Sequence, residues 1–336
     1  MREDIITLDY GSGGKLSNQL IRSLFLKYFN NPFLNQLHDG AILPPSDKKI
    51  AFSTDSYTVS PIFFNGGDIG KLAIHGTVND LAMCGAIPKY LSVSLIIEEG
   101  TSMHALEQVT SSMAEAAQQT DILIVTGDTK VVNKGDADGI FINTTGIGYI
   151  DLDIDINPAG AQVNDFILIN GPIGNHGISI LASRKNLELE EIIPSDTAPL
   201  ADLVQQMLSI TREIHVLRDP TRGGLATALN EIAQSSQVEI EIEEIKIPMD
   251  EAVKDTCQIL GYDPLYLANE GKLIAFVPEQ YAEKVLEKMK KSLYGEQAAI
   301  IGRVVARGKA EVSLLTEIGG KRIVGMLSGE QLPRIC

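Results

Sequence analysis

At 336 residues, with 44% hydrophobic and 21% charged residues, the chain is long enough for two globular units of about 150 residues, each with a core that needs no staple. A net charge of -16 excludes a surface built for DNA or RNA, whose affinity comes from Lys and Arg neutralising phosphates. No apolar run of signal-peptide or bilayer-spanning length is present, and Cys84, Cys257 and Cys336 are too scattered for a disulfide framework or a zinc site, so a cytoplasmic globular enzyme is expected.

Taken in chain order, DYGSGGK (9–15) predicts a glycine-rich loop or arm, with Lys15 placed to reach a phosphate if the loop folds over a nucleotide. LSNQLIRSLFLKYF follows at helical spacing and stops at Asn30, Asn31 and Pro32. From Lys49 short apolar runs alternate with longer periodic ones. KIAFSTD, YLSVSLIIE, DILIVTGD and GIFINTTGIGYI predict strands, and Asp68 to Cys84 and MHALEQVTSSMAEAAQQ predict helices.

DLDIDINPAGAQ reads as the boundary between units, followed by a second alternation that begins at DFILING and ends near RIVGML. The divisions are an arm over 1–48, a first domain over 49–152, a second over 153–327, and a mobile tail over 328–336. EIEIEEIK alternates acid with Ile as a half-exposed strand does. Cys84 and Cys257 both read as packed thiols.

The chemistry gathers where elements meet loops. Asp55 closes one predicted strand, Asp128 another and Asp219 a third, while Asp80 sits in TVNDLAM. Carboxylates at the carboxyl ends of strands suit a Mg²⁺ ion held against phosphates, although each taken singly reads first as the cap of a helix or turn. TGDTK and DPTRGG shift that balance. In the second, Asp219 is followed by Thr221, Arg222 and Gly223 at a helix start, joining a carboxylate to free backbone N–H groups. Glu270 in ANEGKL lies in a tight turn before a strand, and among the histidines His75 and His176 stand beside glycines nearest the candidate loops.

GSGGK, STDS, TVNDLAMCGA, VTGDTKVV, RDPTRGGLA, ANEGKL and the final PRIC together resemble the HypE proteins of NiFe hydrogenase maturation, in order through the entire chain. The resemblance implies an α/β (α+β) fold of two domains like aminoimidazole ribonucleotide synthetase, with an N-terminal mixed sheet forming a homodimer interface. It implies ATP and Mg²⁺, with Lys15, Asp55, Asn79, Asp80, Asp128, Thr129, Asp219, Thr221, Arg222 and Gly223 as nucleotide residues and Asp55, Asp80, Asp128 and Asp219 as metal ligands. The implied reaction dehydrates a carbamoyl group on Cys336 to a thiocyanate. Glu270 is the first candidate base, and Lys130 and Lys134 are both candidates for holding phosphate or assisting proton transfer. A HypF-like carbamoyltransferase would load the sulfur and a HypC–HypD complex would accept the cyanide. Two alternatives remain in view: a sister ATP-dependent enzyme such as selenophosphate synthetase or a kinase, and a non-catalytic scaffold.

Overall fold

The computed structural model describes residues 5–12, 14–37, 40–185, 187, 191–329, 332 and 334–336. Gly13 of the glycine-rich loop, Pro333 of PRIC and parts of the expected arm and tail lie outside the described residues. The first expected helix forms in pieces: α1 (Lys15–Leu20), a wider turn (Ile21–Phe25) and α2 (Leu26–Tyr28). Its apolar stripe, Leu20, Leu24 and Phe25, is buried.

The first sheet has the order β1-β6-β4-β5, with β1 (Lys49–Tyr57), β4 (Ile87–Glu98), β5 (Leu123–Val132) and β6 (Ile140–Ile150). Its β4–β5 pair is parallel and the other pairs antiparallel, so the sheet is mixed. A small hairpin, β2 (Phe63–Phe64) and β3 (Gly67–Asp68), leads into α3 (Ile69–Met83), and α4 (Met103–Gln119) also covers one face. Asp68 caps α3 by accepting from the Gly70 and Lys71 N–H groups at 2.7 and 3.1 Å. α3 is buried nearly all round, and small residues let it sit low on the sheet. A Cβ on Gly76 would fall 2.1 Å from the Tyr57 hydroxyl.

Two of the expected strand ends are corrected. Asp55 does not close its strand, which continues to Tyr57, and Asp128 lies inside β5, which continues to Val132. Polar TGDTK resembles a turn in sequence, yet its backbone stays laddered to β4, with Ser94 opposite Asp128 and Ile96 opposite Lys130. β5 is the sheet's edge strand, where polar side chains reach solvent at little cost.

The second unit carries the order β13-β12-β9-β11-β7-β10-β8. In chain order its elements are β7 (Phe166–Ile169), α5 (Asn175–Lys185), α6 (Ala201–Leu208), β8 (Val216–Arg218), α7 (Gly224–Ser236), β9 (Val238–Glu243) and α8 (Glu251–Leu260). Then follow β10 (Ile274–Val277), α9 (Glu279–Lys290), β11 (Ala299–Arg307), β12 (Val312–Leu315) and β13 (Lys321–Ile323). The acidic strand alternates buried Ile with half-buried Glu, as its pattern predicts. No described helix is long and apolar enough to cross a membrane.

The units are locked together across α3. Asn79, 2% exposed, donates from Nδ2 to the carbonyls of Ala198 and Glu270 and accepts at Oδ1 from the Leu200 N–H. The second unit contributes Ile180 and Ala268 to the first unit's apolar cluster, which also takes in Ile335 and Cys336.

Candidate active site

The end of the tail lies in the groove between the units. The Thr58 N–H donates to the Cys336 carbonyl oxygen at 2.9 Å and the Ser60 N–H to that of Arg334 at 3.4 Å, so residues 334–336 lie along the segment that follows β1. The Arg334 guanidinium donates to the Thr58 carbonyl at 2.9 Å, pairs with Asp138 and lies 5.7 Å from the centre of the Phe141 ring. The sequence leads one to expect a free tail; the structure holds its last residues docked, with Cys336 8% exposed.

Around that sulfur stand groups from two loops. The RDPTRGG loop turns into α7 through Gly223 and Gly224, both at positive φ, and a Cβ on Gly224 would meet the Leu265 and Leu267 carbonyls at 2.5 Å. That turn brings Arg222 and Gly223 to a cavity of about 300 Å³ shared with Thr58 and Cys336. The NEGK turn packs so tightly that a Cβ on Gly271 would meet the Asp196 carbonyl, while the Glu270 N–H donates to the Asp196 side chain at 3.0 Å. Glu270 is thereby fixed as a residue only 4% exposed, with its Oε1 buried and without a hydrogen-bond partner.

Charge in this cleft is crowded. Burial, then Asp219, Asp196 and Asp55, hold the Glu270 carboxyl well above the usual carboxylate range, and Arg222 opposes the shift. Burial and then Glu270 push the Cys336 thiol up to about 12, again against Arg222. Burial and then Asp80 push Asp219 up to about 7. Asp80 is itself raised by burial and by Asp55, although it accepts from the Ser53 hydroxyl at 2.6 Å. Asp80, Asp219 and Arg218 line an adjoining cavity of about 520 Å³.

Asp55, Asp80, Asp219, Arg222, Glu270 and Cys336 therefore act on one another through space. Asp128 does not join them. Asp55 pairs across to Thr144 and then Val93, on the helix-covered face, whereas Asp128 pairs with Ser94, on the opposite face. Three strand spacings, about 14 Å, also separate the two edges. Lys130, 3.5 Å from Asp128, is on that open face, and Thr129 is half-buried beside it. Gly11 of the N-terminal loop packs on Val131, so exposed Lys15 belongs to this edge as well. Lys134 is exposed on the loop after β5, which Glu98 fixes by accepting from the Gly135 and Gly139 N–H groups at 2.7 and 2.9 Å.

Two further expectations change. Asn79 spends its polar atoms on the joint between units and offers none to a ligand. Cys84 is exposed, not packed, because α3 ends at Met83 and leaves it at the mouth of the larger cavity. Cys257 is buried, and its thiol is pushed up to about 11 by burial.

Residues 37–150 match the N-terminal domain of AIR synthase related proteins, and residues 162–314 match the C-terminal domain. The carbamoyl dehydratase HypE of Cupriavidus necator is 48% identical over 98% of this chain and 95% of its own length. That of Escherichia coli K12 is 44% identical over 98% and 99%. A crystal structure of HypE in complex with ATP superposes at a TM-score of 0.95, with 51% identity over 98% of this chain and 99% of that one. This chain belongs to the HypE family. A second HypE structure, from a complex with HypF, matches at a TM-score of 0.81 and 45% identity, covering 92% and 99%. A thiamine-monophosphate kinase from Aquifex aeolicus, 20% identical with a TM-score of 0.62 over 92% and 99%, shares the fold alone. His176, Arg184 and Ser195, which also touch the tail or hold what touches it, gave no spacing signal beyond the glycine beside His176.

Proposed function

We propose that this chain is an ATP-dependent carbamoyl dehydratase whose substrate is its own Cys336. The supporting observation is the docked Cys336 itself, held beside Arg222 and Glu270 and within the field of Asp55 and Asp219. A thiol raised to about 12 is a poor nucleophile at neutral pH, so the sulfur is loaded outside the cleft, by a carbamoyl donor protein such as a HypF, and returns as a thiocarbamate.

The amide oxygen of S–C(=O)–NH₂ is a poor leaving group. Transfer of the γ-phosphoryl group of ATP to that oxygen forms a C–O–P linkage and releases ADP and the first nitrogen-bound proton. Loss of phosphate breaks the C–O bond, the second proton leaves nitrogen, and S–C≡N remains. Glu270 is positioned to take a proton from nitrogen: its unpartnered Oε1 and its high proton affinity make it a strong acceptor once ionised. Arg222, raised further by Cys336 and then by Asp55 and Glu270, keeps its guanidinium charge whether or not the sulfur is loaded and would stabilise negative charge growing on the transferred phosphoryl group. Thr221 and Gly223 shape the same loop.

Mg²⁺ fits the cleft in one sense. Among the described residues no three carboxylate, imidazole or thiol groups converge to hold a metal alone, but Asp80 and Asp219 repel one another and would gain from a cation. Mg²⁺ characteristically takes one or two carboxylates together with phosphate oxygens. When bound it would neutralise phosphate charge.

The open face of the first sheet supports the homodimer. Ile50 is 63% and Phe52 69% exposed there, with Ile96 and Leu123 also exposed and Tyr90 and Tyr149 in edge contact between them. A second copy covering this face would enclose Asp128 and Lys130, giving the nucleotide a wall that one chain lacks. Cyanide delivery to a HypC–HypD complex in the cytoplasm completes the reading. To test it, phosphate release from ATP is measured on carbamoyl-loaded protein. About one phosphate per loaded chain, and none from Cys336→Ala, is expected; equal turnover by the variant would make this a sister enzyme with a free substrate, and no turnover by either would make it a scaffold.

A further inference from the structure

The groups that grip the tail are not those that surround the sulfur. α5 presents His176, Ile180 and Arg184 at intervals of four, which places them along one stripe. His176 Nε2 donates to the Ile335 carbonyl at 2.8 Å, and Arg184 Nη2 donates to the Arg334 carbonyl at 2.8 Å. Arg184 Nε donates to the Ser60 carbonyl at 2.9 Å, tying the tail to the segment after β1 that it lies along. Ile180 lies in the same buried apolar cluster as Ile335. The histidine ring is itself held: the Ser195 hydroxyl is 2.8 Å from Nδ1, which accepts from it when Nε2 carries the proton, and Phe64 packs edge-on against the ring.

We propose that this stripe is the tail's receptor: by holding the main-chain carbonyls of residues 334 and 335, His176 and Arg184 position Cys336 in the cleft whatever group its sulfur carries. Carbonyl oxygens do not change when the thiol becomes a thiocarbamate or a thiocyanate. One grip therefore serves a carrier arm in every chemical state, and the sulfur is left free of it. The clasp also spans both units, since α5 belongs to the second and Thr58 and Ser60 to the first; opening the groove releases the tail. His176 and Arg184 are positioning residues and touch no reacting atom. Their role in the reaction rests on the dehydratase reading, but their grip does not.

The test uses the full chain and follows alkylation of Cys336 by iodoacetamide with peptide mapping, taking exposed Cys84 as internal reference. Arg184→Met keeps the aliphatic stem and removes the donors; His176→Leu removes the ring's donor, and His176→Gln restores an N–H. Losing one such bond to a buried carbonyl should raise the Cys336 rate about tenfold with Cys84 unchanged. In preloaded protein, single-turnover dehydration should fall by a like factor while loading by the carbamoyl donor is undiminished, and His176→Gln should recover much of both effects. Unchanged Cys336 alkylation in folded Arg184→Met overturns the proposal, and that variant decides alone if His176→Leu fails to fold. Faster alkylation in the variants, with no dehydration even by the wild type, upholds the clasp and defeats the dehydratase reading.

Discussion

The inter-unit cleft and the open edge of the first sheet carry motifs of similar promise in sequence, but the chain folds them to different degrees of completion. In the cleft, Glu270 and Cys336 are buried, Asp219 is half-buried, and the three perturb one another. At the edge, Asp128 and Lys130 are both more than 60% exposed. One region is preorganised by the single chain, and the other is left open to solvent by it. Burial is what separates them, because desolvation converts nearby carboxylates into strongly interacting ones.

The largest effect expected from that contrast is at Glu270. Glu270→Gln should leave carbamoyl loading intact and slow dehydration by about 10²-fold or more, read as single-turnover loss of the loaded species. A fall below tenfold would remove Glu270 as the proton acceptor.

Breaking the edge should act differently. Phe52→Arg sets a charge on the apolar open face; it should shift sedimentation from dimer to monomer and weaken Mg-ATP binding about tenfold or more, without exposing Cys336 to alkylation. Lys130→Gln should weaken Mg-ATP by about threefold to tenfold, again with Cys336 still protected. Loss of that protection in either variant would mean that the two regions are one.

The smallest effect is in stability. Asp219 has its folded pKa raised to about 7, so its contribution is fully present below the unfolded value of about 3.8 and is lost as pH rises through 7. Without nucleotide, Asp219→Asn should therefore raise the melting temperature by about 2–4 °C at pH 8, by less at pH 5 and not at all at pH 3. The same titration predicts that wild-type affinity for Mg-ATP strengthens between pH 6 and 8, measurable by calorimetry. A pH-independent affinity would place the cation elsewhere.

Much of the fold could be read from periodicity. The helix at 103–119 and the alternation of Ile and Glu in β9 carry their period openly. α6 and β12 were not distinguished, being eight and four residues long with few punctuating Gly or Pro. The ends of β1 and β5 were misread because polar residues at a sheet edge imitate a turn. In the site, Asp219 and Arg222 were legible because a strand end, an Asp and paired glycines stand together. Glu270 stood out far less, since its burial depends on Asp196, 74 residues away. His176 showed only by the glycine beside it and Arg184 by nothing, because they bind main-chain atoms of a tail about 150 residues downstream, and no local pattern encodes that.

The most direct test of the central claim is intact-protein mass spectrometry of wild type and Cys336→Ala, first with the carbamoyl donor system and then with Mg-ATP. The account predicts that the wild type gains one carbamoyl group and then loses one water only when Mg-ATP is added, while the variant does neither. A variant that is loaded as well as the wild type, or a wild type whose loaded mass is untouched by Mg-ATP, would contradict it.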